Sequence, residues 1–257
     1  MATLVDGIND APPLHAADVG FSVDTAVDVA KEAAAMILLR KDLGVLADGV
    51  REGRKTFVNI LKYMMMGTSS NFGNMFSMAA GVLFLPFLPM LPTQILLNNL
   101  LYDLSEVALP LDEVSDAMVA KPRRWDLDFV RKFMFVFGPL SSVFDFITFG
   151  LPLWVFRADE ALFHAGWFVE SLSTQILVIF IIRTMHPWRD RPNPALVASS
   201  LSAFAVAVAL PYSPLAHWLG FVPVPASVMG ALALVTISYL LTVYGVKQWF
   251  FKRYQLG

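Results

Sequence analysis

Of the 257 residues, 56% are hydrophobic and only 16% charged, whereas a soluble domain lies nearer half apolar and a quarter charged; a membrane protein is the first expectation. The formal charge of −2 decides little, because in such a protein the placement of charges matters more than their sum. The absence of cysteine excludes a disulfide framework and thiolate metal chemistry, and with Asp6 and Asp10 where a basic stretch and an apolar run would stand, no secretory signal peptide is expected.

In chain order, residues 1–50 read as cytoplasmic and differ from the rest. Short apolar runs at 1–5 and 18–23 suit buried strands, the alanine-rich stretch 25–36 suits a helix, and 36–39 is again strand-like. Strand, loop, strand, helix, strand is a slice of an α/β domain, too short to bury a core alone; a partner or a preceding N-terminal portion is expected. A helix is predicted from Lys41–Asp42 through "LGVLADGVREGRKTFVNILKYMMMG" into the membrane. Gly44, Gly49 and Gly53 each weaken it by about 1 kcal/mol, but no proline breaks it, so it would couple the first domain mechanically to the second (51–257).

From Phe57, six apolar stretches approach the ~20 residues needed to cross a hydrocarbon core of ~30 Å: about 57–85, 94–111, 131–156, 167–185, 194–212 and 225–248. A mainly α protein, a bundle of six transmembrane helices, is therefore predicted. With the N-terminus inside, Lys121, Arg123, Arg124, Arg131, Lys132, Arg183, Arg189, Arg191, Lys247, Lys252 and Arg253 fall on the cytoplasmic side, and only Arg157 on the other. This positive-inside asymmetry places both termini in the cytoplasm. Trp154, Trp167, Trp188, Trp218 and Trp249 lie near span ends, as an aromatic belt requires.

The segment "LVDGINDAPPL" (4–14) gathers oxygen donors at the end of the first strand. Spacing alone leaves two readings open: an Asx-rich turn that caps the next helix, or a Mg²⁺ site of one or two carboxylates beside a phosphate. "DGINDAP", followed by "LHAADVGFSVDTAVDVAKEAAAMILL", resembles the hinge region of P-type ATPases. The resemblance implies that Asp6 and Asp10 serve the catalytic Mg²⁺ and that Asn9 with Asp10 supports the phosphoryl site. It implies a haloacid-dehalogenase-like phosphorylation domain of which residues 1–50 are the closing slice. Val5 stands where the family has glycine, and Pro13 where a small residue is usual. Asp-Lys-Thr-Gly-Thr and Thr-Gly-Glu motifs are absent, so the chain looks like the C-terminal portion of a pump, not competent for ATP hydrolysis by itself.

Polar groups at bilayer depth are functional candidates by default. In "GTSSNFGNMFS" (67–77), Asn71 and Asn74 are three apart on one helix face; in "LLNNLLYDLSEVALP" (96–110), Asn99, Asp103 and Glu106 follow at four and three. Interhelical hydrogen bonding is the alternative for the asparagines, whereas a carboxylate at Asp103 calls for a cation, a proton or a water cavity. Glu106 is expected nearer the cytoplasmic mouth, and Asp145 and Glu170 are expected to pair with each other or to face a crevice. Met64–Met66 reads as packing, and the four histidines as lying outside the spans.

Oxygen donors with a single carboxylate suit an ion that keeps part of its water, as Mg²⁺ does, better than a dehydrated Ca²⁺. "SSNFGNMFS", "LLNNLLYDLSE", "FGPLSSVFDFITFG", "GWFVESLSTQ" and "PWRDRP" resemble the bacterial magnesium-translocating branch of P-type ATPases. That resemblance implies ATP-driven Mg²⁺ import across the inner membrane through an aspartyl-phosphate. Asn71, Asn74, Asn99 and Asp103, with Glu106, would meet the transported ion; ATP would bind in the missing domain. The expected partners are Mg²⁺, the lipid bilayer and the N-terminal half of the pump, with no nucleic acid. The alternatives are a non-catalytic six-helix channel or accessory protein, and a pump for another cation such as Ca²⁺.

Overall fold

The computed structural model describes residues 2–4, 6, 7, 9, 11–40 and 42–254, and divides into two compact units, Met1–Lys55 and Thr56–Gly257. In the first, β1 (Ala2–Leu4), α1 (Ala11–Ala16), β2 (Val19–Val23), α2 (Asp28–Ala33) and β3 (Met36–Leu38) form a parallel sheet in the order β1-β2-β3. Leu4 lies opposite Phe21, and Val23 opposite Leu38. The core is small: Leu14, Val23, Ala26 and Ala30. The segment expected as a plain loop between the first two strands contains α1. Pro12 and Pro13 sit in its first turn, where helical N–H groups have no intrahelical acceptor and proline costs little.

Helix α3 (Leu43–Phe84) runs unbroken for 42 residues. At its start the Gly44 N–H donates to Asp42 Oδ1 at 2.7 Å. The second unit continues with α4 (Pro92–Glu106), α5 (Asp116–Val119), α6 (Leu127–Gly150), α7 (Glu160–Ile182), α8 (Pro194–Ala209) and α9 (Ala226–Arg253). Helix starts are capped: Asp126 Oδ1 accepts from Phe129 N, Asp159 Oδ1 from Leu162 N and Asn193 Oδ1 from Ala195 N, each at 2.9 Å. Such caps satisfy donors that no helix can pair internally.

Among the described residues four segments are long and apolar enough to cross a membrane: Leu127–Val155, Glu160–Ile182, Pro194–Tyr212 and Ala226–Arg253. The other two expected spans fall on α3 and α4. Polar residues between Thr68 and Ser77 lower the hydropathy of α3, and α4, with 15 residues, is about 22 Å long at 1.5 Å per residue.

Helix α7 is the centre of this unit, packing against α4, α6, α8 and α9. Phe163, Phe168, Leu172, Ile176 and Ile179 are fully buried along it. Because α7 begins at Glu160, the stretch 157–166 is not wholly a connection, as the sequence suggested. His164 lies inside the helix, buried, with Nε2 2.6 Å from the Leu88 carbonyl oxygen. Trp167 also departs from expectation: it is 2% exposed, whereas Trp154, Trp188 and Trp218 are more than 80% exposed and remain suited to a belt.

Helices α3 and α6 meet through glycines. A Cβ on Gly73 would stand 3.0 Å from the Gly138 carbonyl oxygen, and one on Gly138 2.5 Å from Phe72 Cδ1; small residues permit such close approach between membrane helices. Ser142 Oγ donates to the Gly73 carbonyl oxygen at 3.0 Å across this contact. Gly73→Leu should destabilise the bundle by about 1–3 kcal/mol, the usual cost of overpacking, read as a lower unfolding midpoint in detergent; an unchanged midpoint would show that the contact is not tight.

Candidate ion site

Helices α3 and α4 hold their polar residues at helical spacing, and α7 supplies the wall behind them. Asn71 and Asn74 from α3, Asn99 and Asp103 from α4, and Trp167 and Ser171 from α7 line one cavity of about 590 Å³. Four of the five residues on which the sequence placed the transported ion thus share one cavity, and the fifth, Glu106, does not line it. Apolar side chains, among them Met75, Met78 and Ile95, complete it.

The rim and the depth of the cavity differ. Asn71, Asn99 and Asp103 are exposed and Asn74 half-buried, whereas Asn98, Trp167 and Ser171 are buried. Ser171 Oγ donates to Asn74 Oδ1 at 3.4 Å and accepts from Gln175 Nε2 at 2.6 Å, which ties α3 to α7. Among the described residues no group of three or more His, Cys, Asp or Glu side chains is arranged to hold a metal ion. The donor set is therefore a single carboxylate with amides and a hydroxyl, which suits a hard cation that retains water.

Glu106 stands apart. It is buried, accepts from the Tyr102 hydroxyl at 2.7 Å and does not line the cavity. Asp145 and Glu170 lie in the interior, each no more than 2% exposed. Asp145 accepts from Ser77 Oγ at 2.6 Å and from Trp167 Nε1 at 2.9 Å. Trp167 therefore lines the cavity and braces a buried carboxylate with its N–H.

The sequence did not single out Asn98, Ser171 or Trp167 as site residues. Asn98 is adjacent to Asn99 and was open to reading; Ser171 and Trp167 sit on a helix buried on every side, where no periodicity marks a special face.

At one end of this unit, Asp112 gathers four partners. Arg183 Nη1 donates to both its carboxylate oxygens at 2.8 and 2.9 Å, Lys62 Nζ to Oδ2 at 3.1 Å and the Asn193 N–H to Oδ1 at 3.3 Å. Asn59 Nδ2 donates to the carbonyl oxygens of Pro110 and Asp112 at 3.0 and 2.9 Å. The clasp joins α3, the segment after α4, the end of α7 and the start of α8.

In the first unit, Asp6 and Asn9 follow β1 and are exposed; the Asp6 carbonyl oxygen accepts from Val27 N at 3.4 Å. Asp10 lies outside the described residues.

Residues 87–249 match the family model described as "Cation transporting ATPase, C-terminus". The chain belongs to this cation-transporting ATPase family. Within it, the chain is 49% identical over 255 residues to the "Magnesium-transporting ATPase, P-type 1" of Salmonella typhimurium LT2 and 48% identical to that of Escherichia coli K12; each match covers 97% of the chain. A "Calcium-transporting ATPase" of Bacillus subtilis is 39% identical over 121 residues, 46% of the chain and 14% of that relative. The chain spans 28% of the length of the two magnesium-transporting relatives.

Proposed function

We propose that this cation-transporting ATPase chain forms the ion-conducting part of an ATP-driven pump that imports Mg²⁺ across the bacterial inner membrane through an aspartyl-phosphate. In this reading the six spans cross the bilayer, with α3 and α4 lining the ion path and both termini cytoplasmic. The observation that carries the proposal is the convergence of Asn71, Asn74, Asn99 and Asp103 on one cavity. Identity to the magnesium-transporting relatives over nearly the whole chain favours Mg²⁺ as the cargo.

The chemistry follows from the donors. Asp103 supplies the charge that holds a divalent cation, and the amide oxygens of Asn71, Asn74 and Asn99 replace or bind part of its water. One carboxylate is too little for a Ca²⁺ cage of six to eight oxygens. Asp6 and Asn9 are exposed oxygen donors at the carboxyl end of a parallel strand, where open α/β sheets bind ligands. With Asp10, they fit the hard-oxygen chemistry of a catalytic Mg²⁺, which when bound would neutralise phosphoryl charge. Their task is to hold that ion beside a phosphorylated aspartate and an ATP site in a preceding part of the pump.

A chimaera in which residues 1–257 replace the matched segment of the Salmonella relative tests this. In a strain lacking its own Mg²⁺ uptake, it should restore growth at limiting Mg²⁺. A membrane-inserted, phosphorylated chimaera that takes up Ca²⁺ but not Mg²⁺ would favour the calcium reading to which the Bacillus match points. One that transports neither would leave a non-catalytic membrane protein.

A further inference from the structure

The cavity has a polar end and an apolar end. Along α3 the lining passes from Asn71 and Asn74 to Met78, and along α4 from Asp103 and Asn99 back to Ile95. At 1.5 Å per residue, Ile95 lies about 12 Å along its helix from Asp103, and Met78 about 10 Å from Asn71. Beyond them the lining includes Met90, 4% exposed, which belongs to the connection between the two helices (85–91).

That connection is fastened on several sides. On α7, the buried His164 holds its Nε2 2.6 Å from the Leu88 carbonyl oxygen; a carbonyl can only accept, so Nε2 carries the hydrogen. The Phe87 ring meets those of Phe163 and His164 edge-on, with centroids 5.2 and 5.8 Å apart. On α3, a Cβ on Gly81 would stand 2.7 Å from Pro89 Cγ, so the close seat of Pro89 depends on glycine. Gln94, fully buried on α4, accepts from the Leu91 N–H at 3.0 Å and donates to the Leu219 carbonyl oxygen at 2.9 Å. The hydrogen bond from His164 is the one that ties the backbone of the connection to α7, two residues before Met90.

Resting on the proposed import of Mg²⁺ through this cavity with the N-terminus inside, we infer that residues 85–91 form the outer gate of the ion path. Met90, with Met78 and Ile95, is an apolar stopper between the outside and the oxygen donors, and His164 is the positioning residue that holds it shut through Leu88. Apolar constrictions gate by excluding water, and a cation that travels with part of its water cannot pass while they are closed. Entry from outside requires the connection to leave α7; trapping of the ion requires its return.

The test uses the chimaeric pump described above, reconstituted in lipid vesicles, with Mg²⁺ uptake and phosphate release measured on the same sample. His164→Phe keeps a ring against Phe87 and loses the hydrogen bond, Met90→Ala shrinks the stopper, and His164→Gln keeps an N–H donor. His164→Phe and Met90→Ala should each raise the ATP hydrolysed per Mg²⁺ imported several-fold, because ions escape outward before the cycle closes, while the KM for ATP stays unchanged. His164→Gln should restore the wild-type ratio. A merely structural loss lowers hydrolysis and transport together and leaves the ratio as it was; that result for His164→Phe refutes the pin, and for Met90→Ala the gate. Should His164→Phe fail to insert, Met90→Ala decides. In each of these refutations, Mg²⁺ import by the wild-type chimaera leaves the ion reading standing. If the inserted, phosphorylated wild-type chimaera imports no Mg²⁺, that reading falls and the gate with it.

Discussion

Asp112→Ala should destabilise the second unit by about 3–5 kcal/mol, the range seen when one partner of a buried ion pair is removed and the other stays buried and uncompensated. Two cations depend on this carboxylate. The side chains of Lys62 and Arg183 are 4% and 2% exposed, and that of Asp112 is fully buried. Arg183 Nη1 alone reaches both carboxylate oxygens, a charge-assisted contact stronger than a neutral hydrogen bond. Asp112→Asn, which keeps the shape and one acceptor, should lose less. The measurement is the unfolding midpoint of the chain in detergent. Equal midpoints for wild type and Asp112→Ala would mean that the clasp contributes nothing to stability.

Asp103→Asn should lower the affinity for Mg²⁺ at least tenfold, a change of about 1.4 kcal/mol. It removes the sole carboxylate from the cavity lining while preserving size and polarity. Because Asp103 is exposed at the cavity rim, no buried partner is orphaned by the change, and the folded state should be as stable as the wild type. Affinity should fall while the unfolding midpoint stays constant. A fall in both would assign Asp103 a structural role.

Much of the site was legible because a helix repeats every 3.6 residues. Asn71 with Asn74, and Asn99 with Asp103, lie within one turn, so a shared face followed from spacing, and the structure places all four on one cavity. The same rule gave less at Glu106. Three residues beyond Asp103 it turns inward to the Tyr102 hydroxyl, because a spacing of three leaves room to face either side of a helix edge. Asn98 and Ser171 escaped because what distinguishes them is an unmet hydrogen bond or a contact between helices, and neither leaves a periodic trace. Trp167 was read as an interfacial anchor from its place near a predicted span end; the helix starts seven residues earlier, which carries it into the core.

The fold followed a similar pattern. The strands and the long helix were readable from apolar runs and from the absence of proline. Helix α1 was not, since Pro12 and Pro13 argue for a loop unless they occupy a first turn. In α3 the cavity residues Asn71 and Asn74 are among the polar residues that lower its hydropathy, whereas α4, with 15 residues, is shorter than the four apolar spans.

In the proposed function the cavity lined by α3, α4 and α7 holds the divalent cation. Locating bound Mn²⁺ by anomalous scattering in crystals of the chain tests it most directly. A single strong peak is expected among Asn71, Asn74, Asn99 and Asp103. A cavity without a peak, with Mn²⁺ found only at surface carboxylates such as Glu113 or Asp128, would contradict it.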